Sequence, residues 1–156
     1  MLKKHEQLLM RLPNQRIVLP VSIILFFSVT KWWFVLPVDA PDTMMWGFPL
    51  PCYSEGWYTS GSLQFFIGEG ILDLFIYYLI SLILILIVSK LFPYWHPKKW
   101  LTVLLQVIAG VYLAMAAYVM CLHENLFYIN RTFDTEVIQS GYKFIWQFIP
   151  RPSLKL

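Results

Sequence analysis

The sequence predicts an all-α integral membrane protein with three transmembrane helices, a cytoplasmic N-terminus, and an ordered extracytoplasmic loop and tail. Three observations carry that expectation. Of 156 residues, 58 % are hydrophobic and 13 % charged, where a soluble domain carries about 25 % charged. Three stretches reach the about 20 apolar residues that cross a bilayer. The lysines and arginines around those stretches are unevenly shared. At this length the chain is one domain, and an aromatic content of 18 % excludes disorder. A net charge of +3 gathered near apolar stretches speaks against nucleic acid as a partner.

Residues 1–16 are basic (Lys3, Lys4, Arg11, Arg16) and precede the first span, Ile17–Leu36, which holds one charge, Lys31. Its apolar part exceeds the 7–15 residues of a signal-peptide core. The one small-residue cleavage point, Val38-Asp39-Ala40, is followed by Pro41, so the span reads as a retained anchor. The second span, 63–92, carries Glu69 and Asp73 near its start. The third, 101–122, has no formal charge. Helix is expected throughout, because hydrocarbon offers backbone amides no outside partner, and Ile80–Val88 lacks the alternation of a barrel strand.

Orientation follows from the basic residues. The 93–100 link holds Lys98 and Lys99, with Lys90 just before it, whereas the 37–62 loop holds none. Cytoplasmic loops carry the excess of Lys and Arg. The 37–62 loop and the 123–156 tail therefore face outward, and the expected location is the inner membrane of a cell, as a multi-pass protein. Four prolines break the loop and Gly47, Gly56 and Gly61 mark turns. Its aromatics (Trp46, Phe48, Tyr53, Trp57, Tyr58) suit an interfacial collar or a lid over a site between helices. In the tail, Tyr142–Ile149 reads as a strand or as a short interfacial helix anchored by Trp146. A hairpin with Leu126–Phe133 is an alternative pairing for it. Asn130-Arg131-Thr132 matches a glycosylation sequon.

The Gly-Phe-Pro-Leu-Pro turn at 47–51, followed by a span bearing Glu69 and Asp73, resembles small uncharacterised bacterial inner-membrane proteins. The resemblance covers about a third of the chain and implies no activity.

Intramembrane charges are costly, by about 2.5–3.5 kcal/mol on insertion scales, and point to function or to a partner. Lys31 and Glu69 each lie six residues from the outer ends of their spans, so antiparallel neighbours would hold them at one depth. Spacing by four extends Glu69 into a stripe with Asp73, Tyr77 and Ser81. Two readings follow: Lys31 pairs with an acid and locks two spans together, or Glu69 and Asp73 form a protonatable or cation-binding pair. On the third span Gln106, Gly110, Ala114, Ala117 and Cys121 make a smooth face suited to close helix packing, within the chain or on a partner.

Cys52 and Cys121 both fall on the outer side, where a disulfide between them is permitted; two independent thiols are the other reading. His123 and Glu124 beside Cys121 form a metal cluster only if the helix has ended, and His5 and His96 lie in flanking segments. No metal site and no cofactor is expected. Soluble-enzyme motifs are absent. The reading that results is an accessory or assembly subunit of a larger membrane complex, partnered by lipid and other membrane subunits and acting by binding. The alternatives are an ion- or proton-coupled transport component using the acids, and a membrane thiol-redox protein.

Overall fold

The chain is a mixed α/β fold and not an all-α membrane protein: among the described residues a six-stranded sheet sits at one end of three helices. The structure, a computed structural model, describes residues 15–38, 40–57, 59, 61–92 and 97–152. The basic segment before Gln15, Asp39, Tyr58 and His96 lie outside the described residues.

The predicted first span divides into two elements. Helix α1 runs over Gln15–Ser28 and passes directly into strand β1, Val29–Pro37. The β-branched and aromatic run Val-Thr-Lys-Trp-Trp-Phe-Val favours strand. Its neighbours on both edges complete the backbone pairing: β1 pairs antiparallel with β2 (Thr43–Trp46) and with β6 (Thr135–Phe144). The expected 37–62 collar therefore contributes sheet, with β2 followed by β3 (Tyr53–Glu55). Strand β4 (Leu63–Phe66) occupies the first four residues of the predicted second span.

Helix α2, Ile67–Leu91, leaves β4 without a break, and helix α3, Lys99–Met120, returns to β5, Leu126–Tyr128. Among the described residues β4 and β5 are the one parallel pair of the sheet. Parallel neighbours need a long crossover, and α2 with α3 supplies it. The strand order is β5-β4-β3-β2-β1-β6. The tail thus pairs with β1 at one sheet edge and with β4 at the other, and the alternative of a hairpin within the tail is not what forms. Strand β6 stops at Phe144, and Ile145–Ile149 turns away.

Helix α1 packs against both α2 and α3. Phe26 meets Tyr77 edge-on, Phe27 stacks on Tyr112, and the Ser28 hydroxyl lies 3.2 Å from the Tyr112 hydroxyl. On one sheet face Trp32, Phe34 and Met44 pack beneath Ile149; on the other Val35, Met45 and Phe66 pack beneath Phe133. Arg151 fastens the end of the tail to Asp42 and Glu55 at 3.4 and 3.6 Å.

Candidate functional site

The residues with the strongest claim to chemistry are the acids of α2. Glu69 stands in its first turn, where a negative charge suits the helix dipole. Asp73, Tyr77 and Ser81 continue one face, and all three are buried. The stripe expected from spacing by four is therefore real. Its surroundings are not those expected.

Asp73 is fully enclosed. Its Oδ2 accepts the Phe48 N–H at 2.7 Å and its Oδ1 accepts the Leu50 N–H at 3.1 Å. The 46–52 turn wraps the acid. Gly47 makes this approach, with φ at +147° and the position of an added Cβ only 2.8 Å from Asp73 Oδ2. Its N–H donates to the Lys31 carbonyl at 3.0 Å, and its own carbonyl accepts the Trp33 indole N–H at 3.1 Å. One carboxylate thus ties α2 to the loop between β2 and β3.

Glu69 and Tyr77 also serve as anchors, and Ser81 bonds within its own helix. Glu69 Oε1 accepts the Arg131 N–H at 3.0 Å, and the Gly68 N–H donates to the Ile129 carbonyl at 2.7 Å. Tyr77 donates to the Val29 carbonyl at 2.6 Å, at the junction of α1 and β1. Ser81 donates back to the Tyr77 carbonyl. Lys31 does not join them. It lies on β1, not in a helix, and its Nζ sits 3.5 Å over the Trp33 ring, a cation–π contact. Among the described residues no ion pair links it to Glu69 or Asp73, because the helical register that would have set them level ends at Ser28.

The small-residue face lies outward. Gln106, Gly110, Ala114 and Ala117 are all exposed, and a Cβ on Gly110 would meet nothing within 4 Å. The neighbouring Ala109 is the residue that α3 buries, so the face borders a shallow groove with α1 without filling it. Cys52 and Cys121 are free thiols, the first buried and the second exposed, and no bond joins them. Burial, with the Asp73 charge second, pushes the Cys52 thiol up to about 12, and burial also raises the Tyr53 phenol. Among the described residues no three His, Cys, Asp or Glu side chains converge, and Cys121, His123 and Glu124 are all exposed.

Sequence reasoning missed Asn125. Its side chain accepts the Leu63 N–H at 3.0 Å and donates to the Val119 carbonyl at 2.6 Å, pinning β4 to the end of α3. It also missed the buried polar side chains of the sheet, Thr43, Ser54 and Gln64. Turn propensity after a long helix could have flagged Asn125. No family model, curated protein or solved structure matches this chain.

Proposed function

We propose that this chain is a membrane-anchored accessory subunit, held by α2 and α3, that presents its sheet on the outer side for assembly with other membrane proteins. One observation carries the membrane part. The two long helices are apolar, yet only 17 % of the apolar window of α2 and 6 % of that of α3 is buried. Core helices of a soluble protein would hide those side chains, whereas Ile71, Phe75, Ile87, Val107, Val111 and Met115 are all exposed. Apolar surface on this scale marks a membrane or a protein interface. The dimensions agree: Trp100 and Tyr118, both exposed aromatics on α3, are about 27 Å apart along the axis, close to the about 30 Å of a hydrocarbon core.

Charge supports the orientation. Arg16, Lys90, Lys98 and Lys99 cluster at the helix ends away from the sheet, as cytoplasmic ends require. The commitment of the acids supports assembly over ion coupling. Asp73 holds two backbone N–H groups and Glu69 one, so both acids are engaged in fastening loops to α2. The separation of a buried Cys52 from an exposed Cys121 likewise speaks against a thiol-redox pair.

The test is purification of the tagged full chain from its native membrane in mild detergent, alongside proton flux in vesicles reconstituted with the chain alone. A stoichiometric partner with no flux agrees with the proposal. A lone homogeneous species that conducts, with conduction lost in Asp73→Asn, overturns it.

A further inference from the structure

We infer that the turn closing strand β6, residues 144–148, is inserted in the outer lipid leaflet as a third contact with the bilayer; this rests on the membrane reading above. The level of the turn is fixed by hydrogen bonds. The Ile145 N–H donates to the Ser28 carbonyl at 2.9 Å, so the turn lies at the junction of α1 and β1. That junction is held beside the middle of α2 by the Tyr77 hydroxyl on the Val29 carbonyl, and beside α3 by Ser28 against Tyr112. Counting up α2 from Leu91, about 20 residues at 1.5 Å fill a hydrocarbon core of about 30 Å and reach Ile71. Tyr77 is six residues inside that boundary, or about 9 Å. The apolar face of an interfacial amphipathic helix reaches a similar depth, about 5–10 Å into the headgroup and acyl boundary.

The composition of the turn fits that depth. Trp146 is 73 % exposed, Phe148 89 % and Ile145 51 %. The Phe144 and Trp146 rings stack at 4.8 Å into an exposed aromatic blade. The polarity of the backbone is an independent observation. The Phe144 N–H donates to Gln147 Oε1 and the Gln147 N–H donates to the Phe144 carbonyl, both at 2.9 Å, while Ile145 uses Ser28. Three of the five backbone N–H groups of residues 144–148 are thus paired within the protein, which lowers the cost of a nonpolar surrounding that offers no water as a partner. The apolar outer sides of α2 and α3 are continuous in depth with this turn, at Phe75 and Met115.

The experiment uses the full chain with Cys121→Ala, reconstituted in vesicles of phosphatidylcholine and phosphatidylglycerol. Single cysteines are introduced as Phe148→Cys, Leu84→Cys and Val137→Cys and labelled with an environment-sensitive fluorophore. Quenching is read with nitroxide-labelled lipid and with aqueous iodide. The expected result is lipid quenching at 148 and at 84, and iodide quenching at 137. Lipid quenching at 84 with iodide quenching at 148 overturns the inserted turn and leaves the membrane reading standing. Iodide quenching at 84 overturns both. Should Phe148→Cys fail to fold, Trp146→Cys carries the same label with the same expected and opposing results.

Discussion

Replacing Asp73 by alanine removes the acceptor for two backbone donors at once. The Phe48 and Leu50 amides, at 2.7 and 3.1 Å from the carboxylate, sit against a side chain that is fully enclosed. Each hydrogen bond to a charged group is worth about 1.5–3 kcal/mol, and a buried donor left unpaired costs about 1–3 kcal/mol. Asp73→Ala is therefore expected to cost about 3–5 kcal/mol, a large part of the about 5–15 kcal/mol that holds a domain together. Asp73→Asn keeps one acceptor oxygen and turns its NH2 towards the second donor. Its cost should be about half, roughly 1.5–2.5 kcal/mol by the same values. The assay is denaturant unfolding of detergent-solubilised protein, with hydrogen exchange at Phe48 and Leu50 as a local readout. Wild-type stability and unchanged exchange of both amides in Asp73→Ala would refute the anchoring role.

Four further expectations follow from the same geometry. Tyr77→Phe deletes the 2.6 Å bond to the Val29 carbonyl and should cost about 0.5–1.5 kcal/mol, read by the same unfolding assay. Gly47→Ala should do more damage than a typical surface change, because φ is +147° and the new Cβ would fall 2.5 Å from the Cys52 nitrogen; loss of the protease resistance of the 46–52 turn is the readout. Alkylation of native protein near pH 8 should label the exposed Cys121 and spare the buried Cys52, scored by mass spectrometry. For Cys52 the sign of the pH dependence is set by a folded-state value raised from 9.0 to about 12. The unfolded thiol loses its proton first, so its contribution to stability is intact below about pH 9 and is lost as pH rises towards 12. Cys52→Ala should flatten that alkaline decline in an unfolding series.

The parts of the fold legible in the sequence were those with a long, one-sided pattern. The stripe Glu69, Asp73, Tyr77 and Ser81 could be read because α2 is a true helix over that stretch. What it touches could not, since backbone amides of Phe48, Leu50 and Arg131 leave no side-chain signature. Strand β1 reads as helix from sequence because both of its faces are covered: Trp32 and Phe34 pack on one side, Val35 on the other. A strand buried on both faces reads as an unbroken apolar run. Strands β3 and β5 are three residues each, too short to show a period. Lys31 reads in sequence as a charge within a span, whereas its cation–π contact with Trp33 depends on Val29–Pro37 being extended chain.

The central claim is that α2 and α3 cross a membrane with the sheet on the outer side. Single cysteines at Glu55, on strand β3, and at Lys98, just before α3, report the two sides directly when the chain is expressed in bacterial spheroplasts with Cys52 and Cys121 replaced. An impermeant maleimide should label Glu55→Cys in intact spheroplasts and Lys98→Cys only after lysis. Labelling in the opposite order, or recovery of the chain in the soluble fraction, would contradict the account.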